Sequence, residues 1–108
     1  MERGPYLVAQ IDGSDVGILR LAVGDEAETW WLYSLWIAPA TRGTGLISEF
    51  LARAEALARS SGAAHLKLDV ARNNGRAISV YLRSGYETVE EGDASTDPLE
   101  MVLVKDLR

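Results

Sequence analysis

The pattern of apolar and polar positions changes along the chain, and each change predicts an element. Residues 6–11 (YLVAQI) and 16–23 (VGILRLAV) are two apolar runs separated by Asp12-Gly13-Ser14-Asp15, whose residues supply turn chemistry, so this region reads as a hairpin. Residues 24–28 are a polar loop. Residues 29–37 (TWWLYSLWI) are rich in aromatic and branched side chains and predict a strand buried on both faces, ended by Pro39. From residue 43 to 59, Leu46, Ile47, Phe50, Leu51, Ala54, Leu57 and Ala58 recur at the spacing of an amphipathic helix, closed by Gly62.

Residues 65–70 (HLKLDV) alternate as a strand does. Asn73-Asn74-Gly75 then offers an N-cap for a short helix over 76–83, which Gly85 stops. Residues 86–91 and 99–105 predict a last pair of strands around the polar loop 92–98. A helix between the third and fourth strands makes those two parallel neighbours, whereas hairpin links make antiparallel ones. The expected fold is α/β, a mixed and mostly antiparallel sheet flanked by helices, in a single domain over residues 1–108.

Composition narrows the chemistry. Hydrophobic residues at 47% and charged residues at 25% are those of an ordinary globular chain. With no cysteine and one histidine, His65, neither a thiolate nor a multi-histidine metal site is available, and no metal is expected. No apolar run approaches the roughly 20 residues of a membrane span, and the first residues lack a signal-peptide core, which makes the cytoplasm the expected compartment. The net charge of -5 argues against nucleic acid as a partner. Its distribution is uneven: residues 40–86 hold seven Lys/Arg against three Asp/Glu, while the flanks hold the remaining four and thirteen. A basic middle in an acidic chain suits a small polyanion.

The junction Arg42-Gly43-Thr44-Gly45 joins a strand to a helix, where free backbone N–H groups converge and anions bind. Two glycines allow close approach, and Arg42 adds a permanent charge. The loop lacks the Gly-Lys-Ser/Thr of a Walker A motif and has only two of the three glycines of a dinucleotide fingerprint.

Leu35-Trp36-Ile37-Ala38-Pro39 followed by Arg42-Gly43-Thr44-Gly45-Leu46 resembles the central strand and pyrophosphate loop, Gln/Arg-x-x-Gly-x-Gly/Ala, of the GNAT acetyltransferases. A second segment, Leu68-Asp69-Val70, Asn74, Ala77, Val80-Tyr81 and Gly85-Tyr86, resembles that family's Leu-Glu-Val, Asn-x-x-Ala, Leu-Tyr and Gly-Phe. Ile47 departs from the loop's final Gly/Ala, and its helical spacing points it into the core.

The resemblance implies transfer of an acetyl group from acetyl-CoA to a primary amine. It implies that Arg42, Gly43, Thr44 and Gly45, with the first helical residues Leu46, Ile47 and Ser48, hold the pyrophosphate. Trp36 and Ile37 would pair with the pantetheine arm. Tyr81 would be the general acid, although its spacing also fits a core tyrosine. Asp69 would be the general base through water, or an exposed strand acid beside Arg72. Asn74 would contact pantetheine or cap its helix, and Arg83 would reach the cofactor's phosphate end or stay exposed. Arg72 and Arg76 read as solvated charges and His65 as structural. The family's central-strand glutamate aligns with Trp31. No counterpart of the family's first strand and two helices precedes the hairpin, so the acceptor side is expected to be open, and the exposed edge and aromatic strand predict a homodimer. The competing reading is a binding module that keeps the CoA cleft without catalysis.

Overall fold

The computed structural model describes residues 2–24, 26, 28–89 and 99–108. Its strands are β1 (Glu2–Ile11), β2 (Ser14–Val23), β3 (Thr29–Ile37), β4 (His65–Ala71), β5 (Glu87–Thr88) and β6 (Glu100–Asp106), in one sheet ordered β1-β2-β3-β4-β6-β5. Among the described strands only β3 and β4 run parallel, because the helix α1 (Leu46–Ser60) carries the chain back between them. A second helix, α2 (Gly75–Arg83), follows β4. The expected mixed, mostly antiparallel sheet with flanking helices is the observed fold.

Local chemistry sets the element ends. The first hairpin turns in two residues, Asp12 and Gly13, both at positive φ (49° and 82°), which aligns Ile11 with Ser14 and shortens the anticipated four-residue turn. β1 extends to Glu2 through Gly4-Pro5, with a register shift between Arg3 and Tyr6; an edge strand can hold a proline whose missing N–H no neighbour needs. α1 begins at Leu46 rather than at residue 43. Gly43 and Gly45 hold φ of 82° and 86°, so the chain enters the right-handed helix only after them. Asn74 caps α2, its side chain accepting from the Ala77 N–H at 3.2 Å.

The core lies on one face of the sheet. Leu19, Leu21, Leu32, Leu66, Leu68 and Leu103 point to it and pack with Phe50, Leu51, Ala54 and Ala58 of α1. Each of these large side chains, fully buried, contributes about 1.5–3 kcal/mol. The opposite face is open along β1 to β3. There Val8, Ile18 and Trp36 stand in one cross-strand row, and Tyr6 is 65% exposed. This corrects the expectation that residues 29–37 are buried on both sides: Tyr33 and Trp36 are 48% and 47% exposed. No helix among the described residues is long and apolar enough to cross a membrane. The expected loop 92–98, with Glu90 and Glu91, lies outside the described residues.

Candidate functional site

The site begins where the sheet parts. β3 and β4 pair from Thr29↔His65 to Leu32↔Leu68 and no further, whereas β3 stays paired with β2 as far as Ile37. The β2–β3 register slips by one residue between Leu32 and Ser34, leaving Tyr33 as the extra residue of a bulge. A bulge bends its strand and increases its twist, which turns β3 away from β4. Residues 33–37 therefore carry backbone groups along an edge that no β4 residue meets.

A cleft of about 660 Å³ fills this gap. Leu35, Trp36 and Ile37 form one side, and Arg42, Gly43 and Ile47 lie at the start of α1. The opposing side is α2, through Asn74, Arg76, Ala77, Val80, Tyr81 and Arg83. The chain thus brings together residues from both resembling segments, Leu35–Ile47 and Asn74–Arg83.

The helix start is built to receive an anion. α1 has no side-chain cap, and its first backbone bond is Glu49 N–H to the Gly45 carbonyl at 3.2 Å, so the N–H groups of Leu46, Ile47 and Ser48 find no acceptor among the described residues. A β-carbon on Gly43 or Gly45 would meet nothing within 4 Å, so the constraint on these glycines is conformational and the space beside them is open. Thr44 turns its hydroxyl back onto the Thr41 carbonyl, and Thr44, Gly45, Leu46 and Ser48 adjoin the cleft without lining it. Ile47 is half-buried, both packed on the core and lining the cleft.

Charge completes the picture. Arg42, Arg76 and Arg83 have no acidic partner among the described residues, in contrast to Lys105 with Glu55 at 2.8 Å and Arg53 with Glu49 at 3.3 Å. The Arg42 Nε donates to the Ile37 carbonyl at 3.2 Å, which draws its guanidinium to the cleft. Arg76, read from the sequence as a solvated charge, lines the cleft. Its seven-residue offset from Arg83 is close to two helical turns and places both on one face of α2, a signal that a search for apolar periodicity alone passes over.

Tyr81 is 8% exposed and packs edge-on against Tyr86, the ring centroids 5.9 Å apart. Burial raises its pKa above the ordinary phenol value, so it stays protonated through the neutral range. Its hydroxyl has no partner among the described residues, yet no fully buried side-chain polar atom is unsatisfied, so this hydroxyl reaches the cleft. Asn74 both caps α2 and lines the cleft. Asp69 does not line it. The alternation of β4 buries Leu68 and Val70 and leaves Asp69 exposed on the other face, directly after the last β3–β4 rung. Trp31, on that same face, lies under the Lys67 ammonium at 5.9 Å. Among the described residues no group of three or more His, Cys, Asp or Glu could hold a metal ion.

Residues 1–86 match the acetyltransferase (GNAT) family model. Among solved structures, a Klebsiella pneumoniae chain assigned as an acyl-CoA N-acyltransferase is 28% identical with a TM-score of 0.85, over 95% of this chain and 72% of that one. The PaiA N-acetyltransferase of Thermoplasma acidophilum, solved in complex with coenzyme A, is 23% identical with a TM-score of 0.82, over 94% of this chain and 59% of that one. The ribosomal-protein-S18-alanine N-acetyltransferase of Escherichia coli shares the fold at 20% identity and a TM-score of 0.77, over 94% of this chain and 69% of that one. The chain thus spans between about three fifths and three quarters of these neighbours. No curated protein sequence matches it significantly.

Proposed function

The chain belongs to the acetyltransferase (GNAT) family, and on that premise we propose that it transfers an acetyl group from acetyl-CoA to a primary amine, of a small molecule or a protein, within a ternary complex. One observation carries this reading: a bare helix N-terminus, three arginines without acidic partners among the described residues and a protonated tyrosine meet at a gap between two parallel strands.

The residues present fit a CoA ester. The open backbone at Gly43 and Gly45 and the N–H groups of Leu46, Ile47 and Ser48 suit a pyrophosphate, with Arg42 beside them. The β3 edge at Trp36 and Ile37, which β4 does not meet, suits the amides of an extended arm through the Ile37 backbone, and Asn74 faces it across the cleft. Arg76 and Arg83 supply further charge for the phosphates. When bound, acetyl-CoA supplies the acetyl group as a thioester.

The chain's own residues then have defined work. The amine nitrogen bonds to the acetyl carbon as the carbon–sulfur bond breaks, and the Tyr81 hydroxyl gives the departing thiolate its proton, replaced from solvent. A backbone N–H near Ile37 stabilises charge on the acetyl oxygen. The amine arrives from the open face, where Asp69 stands beside the parting of the strands and takes the amine's proton through water.

The same face, with Tyr6, Val8, Ile18 and Trp36, is also where we place a homodimer contact; a monomeric mass by light scattering at working concentration removes that assignment.

The deciding experiment follows thiol release from acetyl-CoA across a panel of amines, for the native chain and Tyr81→Phe. Loss of this acid should lower kcat by about 100-fold or more with acetyl-CoA affinity nearly unchanged. Equal turnover in Tyr81→Phe removes it as the donor. Tight acetyl-CoA binding without acetylation of any amine identifies a binding module instead.

A further inference from the structure

Directly behind Tyr81 lies a polar cluster that the reaction above does not use. Gly85, at φ 98°, ends α2 and lets the chain double back, so that the Tyr86 N–H donates to the Tyr81 carbonyl at 3.0 Å. The two tyrosine rings meet edge to face at an interplanar angle of 66°. Tyr86 is 2% exposed, and its hydroxyl donates to the Glu55 Oε2 at 3.0 Å. The other Glu55 oxygen accepts from the Lys105 Nζ at 2.8 Å, and that ammonium also donates to the Ser84 carbonyl at 2.8 Å, in the turn that ends α2. It lies 5.8 Å from the centroid of the Tyr86 ring as well.

Three elements therefore converge on one phenol: α1 through Glu55, β6 through Lys105 and the end of α2 through Tyr86 itself. Glu55 stands on the apolar stripe of α1 between Leu51 and Ala58 and is only 7% exposed. A buried ion pair of this kind is a poor device for stability alone, since an apolar cluster of equal volume serves that end at least as well. What a ring anchored at both ends supplies is a fixed orientation for the surface it presents, and that surface is the seat of Tyr81.

We propose that Tyr86, clamped by Glu55 and Lys105, is a positioning residue that holds the Tyr81 hydroxyl in its productive place in the cleft. The proposal rests on the reading of Tyr81 as proton donor. It couples the donor to α1, the same helix whose N-terminus faces the phosphates, so the two ends of the bound ester are referred to one rigid element.

The test is a double-mutant cycle on the full chain with Tyr86→Phe and Tyr81→Phe, measuring kcat, the acetyl-CoA KM and melting temperature. Tyr86→Phe keeps the ring and removes only its anchor. It should lower kcat by about three- to tenfold with KM unchanged, the size expected for coupled neighbours. In the Tyr81→Phe background the same substitution should leave kcat unchanged. The same cycle with Lys105→Gln, which loosens the clamp without altering either ring, should give the same dependence on background. Native turnover in Tyr86→Phe, or an equal fold loss in both backgrounds, overturns the proposal while leaving Tyr81 as donor. Native turnover in Tyr81→Phe alone overturns the donor assignment and the positioning role with it.

Discussion

Gly17→Ala tests whether the sheet and α1 are packed as tightly as the structure shows. Gly17 lies in β2 opposite Ile37, and a β-carbon there would stand 2.5 Å from the Phe50 Cε2, 3.2 Å from its Cζ and 3.1 Å from the Ile37 Cδ1. Phe50 is 3% exposed and sits in the first turns of α1, so its ring cannot swing into solvent. Overpacking of this kind costs about 1–3 kcal/mol. Removing a glycine from the unfolded chain returns about 0.4–1 kcal/mol, leaving a net loss of about 1–2 kcal/mol. At about 4–8 °C per kcal/mol for a domain of this size, the melting temperature should fall by about 4–16 °C. Calorimetry should also show weaker acetyl-CoA binding, since relief of the clash displaces Phe50 and Ile37, which flank the loop. Gly17→Ala/Phe50→Leu should regain part of the stability. A melting temperature within 1 °C of native, or no coupling to Phe50→Leu, would refute the packing argument.

Three further outcomes follow from the site and its support. Arg42→Ala should raise the acetyl-CoA Kd by about 10- to 100-fold, the range for losing a hydrogen bond to a charged group; equal binding in titration calorimetry rejects the loop as the phosphate site. Lys105→Met should destabilise the fold by about 3–5 kcal/mol in urea titrations, because it leaves the Glu55 carboxylate, 9% exposed, without its cationic partner. Burial, joined at Tyr86 by the Glu55 charge, raises both buried tyrosine pKa values, so the folded state keeps these protons after the unfolded chain begins to lose them near pH 10. Stability should therefore hold below about pH 10 and fall as pH rises beyond it. Melts between pH 8 and 11 should show a shallower fall for Tyr86→Phe, and equal slopes would count against the shift at that residue.

Much of this arrangement is readable from residue spacing. Leu46, Phe50, Leu51, Ala54 and Ala58 announce α1 through a period that few other structures satisfy. Other features leave no such trace. The run 29–37 is almost wholly apolar, so it has no alternation from which an open face can be read, and Trp36 proved exposed. The bulge at Tyr33 depends on how two strands register, which composition does not encode. Asp69 is instructive in the other direction: the alternation of HLKLDV already set it opposite Leu68, so its absence from the cleft follows from the pattern that identified the strand. The extension of β1 through Gly4-Pro5 was hidden because proline reads as a breaker until the strand is known to be an edge.

The parting of β3 from β4 also divides the labour within one short stretch of chain. On the proposed reading, the main chain over residues 33–37 recognises the donor, a task indifferent to which side chains it carries, while Tyr33 and Trp36 project far enough to be about half exposed. On that reading, substitution at Tyr33, which lies outside the proposed dimer contact, can retune which amine is accepted without disturbing how the acyl carrier is held. A library varied at Tyr33 should shift acceptor preference while acetyl-CoA affinity stays nearly constant, making this bulge a natural place for specificity to drift.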